Sequence, residues 1–366
     1  MLERFGHGGD LTTATEAFGR ESAHFLDFSS NMNPLGPPEY VGDIVQQYIQ
    51  RIQAYPDPAS RMLKELLSNL YGIDEKCLLI GNGAAELIDL AVRAIAPEAA
   101  AVVSPCFSEY ADAVCKVGGR LHRIPLSAQS GFELGQDQLQ QAAQSGVGLY
   151  MLGSPNNPTG RLMDRKLIEQ LLDSGAYVVL DEAFLDFVPG SETLTMVAEA
   201  ARHSRLIVIR SMTKFYAVPG IRLGYAAAAP ELIAGMRSLQ VPWSVNSLAQ
   251  SIGEAVIGDM PFVSRTLAWL GEERTWLAKK LTKLGFIVTP SDANYLLLRL
   301  PERMKLNASG LQEAMGRTGV LIRDASLFPG LDERYIRVAV KLREQNASLL
   351  ERLTEMMAEG KEGELA

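Results

Sequence analysis

At 366 residues, with 47% hydrophobic and 21% charged residues, the chain is long enough for two or three domains and has a soluble globular composition. A net charge of −8 argues against a nucleic-acid footprint, and no apolar run is long enough to cross a bilayer. Cys77, Cys106 and Cys115 form no C-x-x-C pair, four scattered histidines offer no metal cluster, and the start lacks a secretory layout; a cytoplasmic location without a metal is expected.

His7-Gly8-Gly9-Asp10 precedes a short helical pattern. The run from Phe25 to Pro38, F-L-D-F-S-S-N-M-N-P-L-G-P-P, then reads as extended chain entering a proline-fixed loop. It is either a simple arm with a turn, or an arm whose His7, Ser29 and Asn31 reach a site. Tyr55 stands before a Pro-Asp-Pro turn, where a tyrosine ordinarily packs. Residues 78–80 lead into Gly81-Asn82-Gly83-Ala84-Ala85-Glu86, followed by apolar spacing at Leu87, Ile88, Leu90, Ala91 and Ile95. This is strand, glycine turn, helix, a junction that points backbone N–H groups at an anion. Glu86 replaces the third glycine of G-x-G-x-x-G, so a single phosphate is expected rather than a dinucleotide.

Residues 100–104 and 149–152 read as buried strands delivering Pro105-Cys106-Phe107-Ser108-Glu109-Tyr110 and Gly153-Ser154-Pro155-Asn156-Asn157-Pro158-Thr159-Gly160. Residues 177–180 form another, ending at Asp181-Glu182-Ala183-Phe184; a carboxylate there is costly unless paired. Residues 206–209 and 223–229 flank a loop holding Ser211, Thr213, Lys214, Gly220 and Arg222. An ordinary loop lysine is a solvated charge. Two hydroxyls, a planar guanidinium and glycines that permit close approach suit instead a lysine forming a Schiff base with an aldehyde cofactor whose phosphate is anchored beside it. Beyond residue 232, Pro242-Trp243-Ser244-Val245-Asn246 breaks a helix, and amphipathic helices follow to 284. Strands are expected at 286–288, 294–298, 320–322 and 335–340, a closing helix at 344–357, and disorder only after 358. Arg323 and Arg337 accompany those apolar strands, where an arginine is either a salt-bridge partner or an anion ligand.

The pattern S-x-x-K-x(7)-R-x-G from Ser211 to Gly224 resembles the lysine segment of the fold-type I, pyridoxal-phosphate-dependent aminotransferases of class I/II. H-G-G at 7–9, F-S-S-N-M-N-P-L-G-P from Phe28, D-E-A-F from Asp181 and V-P-W-S-V-N from Val241 are similar to one branch over nearly the whole chain. That branch is the threonine-phosphate decarboxylases of cobalamin biosynthesis, whose nearest relatives are the histidinol-phosphate aminotransferases. The resemblance implies an α/β fold: an N-terminal arm (1–45) serving the active site and small domain, a large cofactor-binding domain with a mostly parallel central sheet flanked by helices (46–235), and a smaller α+β domain (236–366).

It also implies pyridoxal 5′-phosphate as cofactor, with Lys214 as the catalytic Schiff-base residue. Gly83, Ala84, Ser211, Thr213 and Arg222, with Ala85 as an extension, would surround its phosphate. Tyr55 would reach that phosphate from the neighbouring subunit of a homodimer. Phe107 (or Tyr110, if the local alignment slips) would stack on the ring, Asn157 would donate to O3′, and ionised Asp181 would keep N1 protonated. His7, Ser29, Asn31, Asn157, Arg323 and Arg337 would bind substrate, Arg337 at the α-carboxylate. Two departures stand out: Asp10 occupies the place of the asparagine in the branch's H-G-G-N, and Phe184 that of the tyrosine often found in transaminating relatives. The reaction implied is decarboxylation of L-threonine O-3-phosphate to (R)-1-amino-2-propanol O-2-phosphate. Amino transfer on histidinol phosphate or a similar substrate is the alternative, and a non-catalytic ligand-binding protein the third. The same lysine, aspartate and asparagine serve both reactions, so the residues alone leave that choice open.

Overall fold

Runs such as Ala-Ala-Ala-Val-Val-Ser and Leu-Ile-Val-Ile-Arg-Ser are apolar on both faces, which suits interior strands covered by helices on either side. Both are buried along their whole length in a computed structural model, which describes Leu2 and residues 8–362. In chain order the strands are β1 (Leu26–Asp27), β2 (Leu78–Gly81), β3 (Ala99–Ser104), β4 (Arg120–Pro125), β5 (Leu149–Gly153), β6 (Tyr177–Asp181), β7 (Leu206–Ser211), β8 (Gly224–Ala228), β9 (Ile287–Val288), β10 (Tyr295–Arg299), β11 (Val320–Leu321), β12 (Arg323–Asp324) and β13 (Tyr335–Ala339). The large sheet has the order β2-β8-β7-β6-β5-β3-β4. Only β8 runs against its neighbours, so β2, β3, β5, β6 and β7 all end at one edge. The helix Ala84–Ile95 buries Leu87, Ile88, Leu90 and Ala91 of the expected face, with Val92 beside them, while Ile95 is only half-buried.

The second layer is the antiparallel sheet β12-β13-β10-β9. It shares a core with helices Met260–Lys283, Ala308–Arg317 and Arg343–Glu362, through Leu270, Leu277, Leu281, Leu311, Leu349 and Leu353. The arm joins this layer rather than the large sheet. β1 pairs in parallel with β11, Phe28 N–H donates to the Leu321 carbonyl at 2.7 Å, and Ala339 N–H donates to the Phe28 carbonyl at 2.9 Å. Phe28 itself is wholly buried, in one apolar cluster with Phe184, Phe187 and Phe215.

Several expectations need correction. The run 320–322 is not one strand: β11 serves the arm, and after Ile322 the chain enters the other sheet as β12. β4 was not anticipated, because Arg120, His122 and Arg123 interrupt the apolar pattern on what proves to be an edge. The last helix continues to Glu362, past the point where disorder was expected; Glu, Lys and Ala in the extension are good helix formers. Asp10 caps the helix Leu11–Phe18: one carboxylate oxygen accepts Thr13 N–H at 3.0 Å and the other its hydroxyl at 2.6 Å. No described helix is long and apolar enough to cross a membrane.

Candidate active site

A cavity of about 580 Å³ opens where the strand ends of the large sheet meet the arm and the second layer. β7 stops at Ser211, and the next residues turn into it. Ser211 Oγ and Thr213 Oγ1 lie 2.9 Å apart, and Lys214 follows. The arm braces this loop from behind. Asn33 N–H donates to the Lys214 carbonyl at 3.2 Å, and its amide donates to the Phe215 carbonyl at 2.9 Å and to Thr266 Oγ1 at 3.0 Å. Burial lowers the Lys214 pKa to about 8; the Arg222 and Arg337 charges push the same way and Asp181 opposes them.

Arg222 has φ +57°, a left-handed conformation that is unusual away from glycine and informative where it persists. It brings the guanidinium against Gly83, itself at φ +85°, where an added Cβ would lie 2.4 Å from Nη2. Gly83 thus gives up its side chain so that Arg222 can lie beside the N-terminus of helix Ala84–Ile95, whose Ala84 and Ala85 line the cavity. Glu86, at the missing glycine, accepts Asn82 N–H at 2.6 Å and fixes the turn.

At the end of β6, Asp181 and Glu182 part company. Glu182 turns to Arg210 (3.0 Å), Thr195 and the Met196 N–H, all buried, and away from the cavity. Asp181 faces the cavity. Its Oδ1 accepts Ala183 N–H at 2.9 Å and its Oδ2 the Tyr110 hydroxyl at 2.7 Å. Burial raises its pKa, and the Tyr110 bond, the Ala183 bond and the Lys214 charge pull it back.

Arg337 on β13 donates to Asn157 Oδ1 and, at 2.7 Å, to the Ser29 carbonyl, so one guanidinium ties the second layer to the large sheet's loop and to the arm. With Asn157 Oδ1 so engaged, its Nδ2 remains as the donor. Arg323 on β12 is the direct cross-strand partner of Arg337; they are 4% and 5% exposed, and both line the cavity. Ser29, Asn31 and Phe107 line it as well. Phe107 meets Tyr110 edge-on at 5.7 Å. Phe107 and Tyr110 both line the cavity, and the Tyr110 hydroxyl is committed to Asp181.

One predicted residue is not brought in: Tyr55 is 83% exposed and rests against Trp243, outside this chain's cavity. His7 lies outside the described residues. The sequence reading missed Asp27, Phe328 and the Tyr110–Asp181 bond. Asp27 accepts the Ser29 N–H at 2.8 Å and hydroxyl at 2.6 Å, and the Ser30 hydroxyl, shaping the arm at the cavity. An Asp preceding Ser-Ser by one residue is an Asx-turn signal that would have flagged it; Phe328 leaves no comparable trace.

The sequence profile of the family Aminotransferase class I and II matches residues 23–353, and the chain belongs to that family. It is 36% identical over 357 residues, 96% of each chain, to the threonine-phosphate decarboxylase of Salmonella typhimurium (strain LT2). Among solved structures, L-threonine-O-3-phosphate decarboxylase from Porphyromonas gingivalis superposes with a TM-score of 0.81 at 26% identity, over 90% of this chain and 99% of that one. Histidinol-phosphate aminotransferase from Clostridium acetobutylicum gives 0.82 at 28% identity, over 91% and 99%. The family works with pyridoxal 5′-phosphate. The residues here fit that cofactor: a cradle cleared of a Cβ for a phosphate, a buried carboxylate for a protonated ring nitrogen, and an amine whose pKa is drawn down towards neutrality.

Proposed function

We propose that the protein decarboxylates L-threonine O-3-phosphate to (R)-1-amino-2-propanol O-2-phosphate and CO2, in cobalamin biosynthesis. The observation that carries this reading is the Arg323–Arg337 pair. The two guanidinium groups are cross-strand partners that line one cavity. Two planar cationic forks at one site suit a substrate with two anionic groups. A phosphorylated amino acid brings a phosphate and a carboxylate, and the net charge of −8 makes such local cations necessary.

Bound pyridoxal phosphate supplies an electron sink for the electron pair released at the substrate Cα. The chain does the rest. Arg222, Ser211, Thr213 and the backbone at Gly83 and Ala84 would hold the phosphate, Phe107 would cover the ring, Asn157 would donate to O3′, and Asp181 would keep a proton on N1. Lys214 would supply the amine for the cofactor's aldehyde and would hold a proton for the substrate Cα. Arg337 takes the carboxylate, while Arg323, Asn31 and His7 take the substrate's phosphate end; Ser29, whose N–H and hydroxyl go to Asp27, shapes the arm there. Which Cα bond weakens depends on how these two grips turn the substrate. In this reading the arm (1–45) and the C-terminal part (236–366) close over the cofactor-binding part (46–235). A homodimer brings Tyr55 to the neighbouring site, and three free thiols suit the cytoplasm.

Amino transfer is the second reading, because a dicarboxylate acceptor would also satisfy two arginines. Phe184 argues for the first: it turns its ring to Tyr295 at 5.0 Å and 80° and has no hydroxyl to offer O3′. The test is to give the holoenzyme L-threonine O-3-phosphate without any oxo acid and follow CO2 and the cofactor spectrum. Catalytic CO2 release with the cofactor returned to its starting form is the expected result. Conversion of the cofactor to its amine form without CO2, driven by histidinol phosphate, would replace this reading with the second.

A further inference from the structure

We propose that Tyr110 is a positioning residue for the reaction: its hydroxyl fixes the Asp181 carboxylate so that the carboxylate, and through it the proton on the cofactor's ring nitrogen, stays in place. The inference rests on the cofactor assignment above and concerns a residue that the reaction itself does not consume.

The geometry is specific. Tyr110 rises from helix Ser108–Lys116, reaches past β5 and donates to Asp181 Oδ2 at 2.7 Å, while backbone N–H holds Oδ1. The carboxylate therefore has a fixed donor on each oxygen, and its remaining acceptor capacity is directed to the cavity. The path past β5 exists because residue 153, the register partner of Asp181, is glycine; a Cβ there would lie 3.0 Å from the Tyr110 oxygen. The same ring props Phe107 edge-on, so one side chain braces both the carboxylate and the aromatic cover.

Charge supports the same conclusion. Asp181 is faced by Tyr110, Lys214 and Tyr295, and Tyr110 by Asp181, Cys106 and Tyr295. Burial and the adjacent carboxylate hold the phenol protonated, so it is always the donor. Of the influences that oppose burial at Asp181, its bond is the largest. A tyrosine that merely filled the core would affect stability and leave the ring nitrogen alone.

The test loads wild type and Tyr110→Phe with 15N-labelled pyridoxal phosphate and follows the N1 resonance against pH, with cofactor affinity and steady-state kinetics alongside. In Tyr110→Phe, N1 is expected to lose its proton about one pH unit lower or more, with cofactor binding and kcat each falling on the order of tenfold and KM little changed. Superimposable N1 titrations would overturn the proposal, whatever happens to thermal stability. Should Tyr110→Phe fail to fold, Gly153→Ala keeps the phenol but crowds its oxygen. The same downward shift is expected there, and an unshifted titration would again overturn the proposal. The N1 readout needs no substrate, so a wild type that binds cofactor yet releases no CO2 would sink the decarboxylase reading while the N1 comparison still decides the role of Tyr110.

Discussion

Lys214 titrates near pH 8 because burial and two guanidinium groups outweigh the one carboxylate that favours its charge. The sign of the consequence follows. Between about pH 8 and the ordinary lysine value the unfolded chain binds the proton that the folded chain has released, so the stability of the cofactor-free protein rises with pH across that window. Thermal melts of the apo protein should show the rise, and Lys214→Met should lack it; equal slopes would mean that Lys214 is not depressed. Arg337 belongs to the same charge group but acts through shape. Arg337→Lys keeps the charge and loses the fork that spans Asn157 and Ser29, so kcat/KM for the phosphorylated amino acid should fall on the order of a hundredfold. A drop below threefold would remove Arg337 from the substrate grip.

The turn between β2 and the helix Ala84–Ile95 depends on one absent methyl group. Gly83→Ala would force a Cβ against Arg222 at a backbone angle that resists it, so cofactor affinity should drop tenfold or more while the fold survives. Equilibrium binding of pyridoxal phosphate to the apo variant measures this, and unchanged affinity would show that Arg222 does not need Gly83. Helix Leu11–Phe18 makes a cleaner stability case. Asp10→Ala removes its cap and should cost about 0.5–2 kcal/mol of the arm's docking, visible as faster hydrogen exchange in Leu11–Phe18. What was readable in the sequence follows the same physics. Strands buried on both faces announce themselves as apolar runs, and their ends carry Asn157, Asp181 and Lys214, so most of the cavity was legible. β4 was hidden because an edge strand tolerates Arg120, His122 and Arg123. The division of 320–324 between two sheets, and the reach of Tyr110 across β5, depend on neighbours distant in sequence, which periodicity does not report.

Tyr55 rests against Trp243, and Ile49, Ile52 and Val241 are exposed large apolar side chains. The homodimer proposed above has Tyr55 serve the other chain's cavity. Complementation tests this directly. Lys214→Ala and Tyr55→Ala chains are each expected to be impaired, but a mixed dimer rebuilds one intact site from Lys214 of one chain and Tyr55 of the other. Random exchange should therefore restore roughly a quarter of wild-type activity. If Tyr55 served its own chain, mixing would restore nothing.

The bond between Ser29 and Arg337 joins residues 308 positions apart, and β1 pairs with β11. During synthesis at about 5–20 residues per second, the arm emerges roughly 15–60 s before its partners exist. The substrate grip proposed for Arg337 therefore depends on chain that is made well after Lys214, while the arm that joins it is made first.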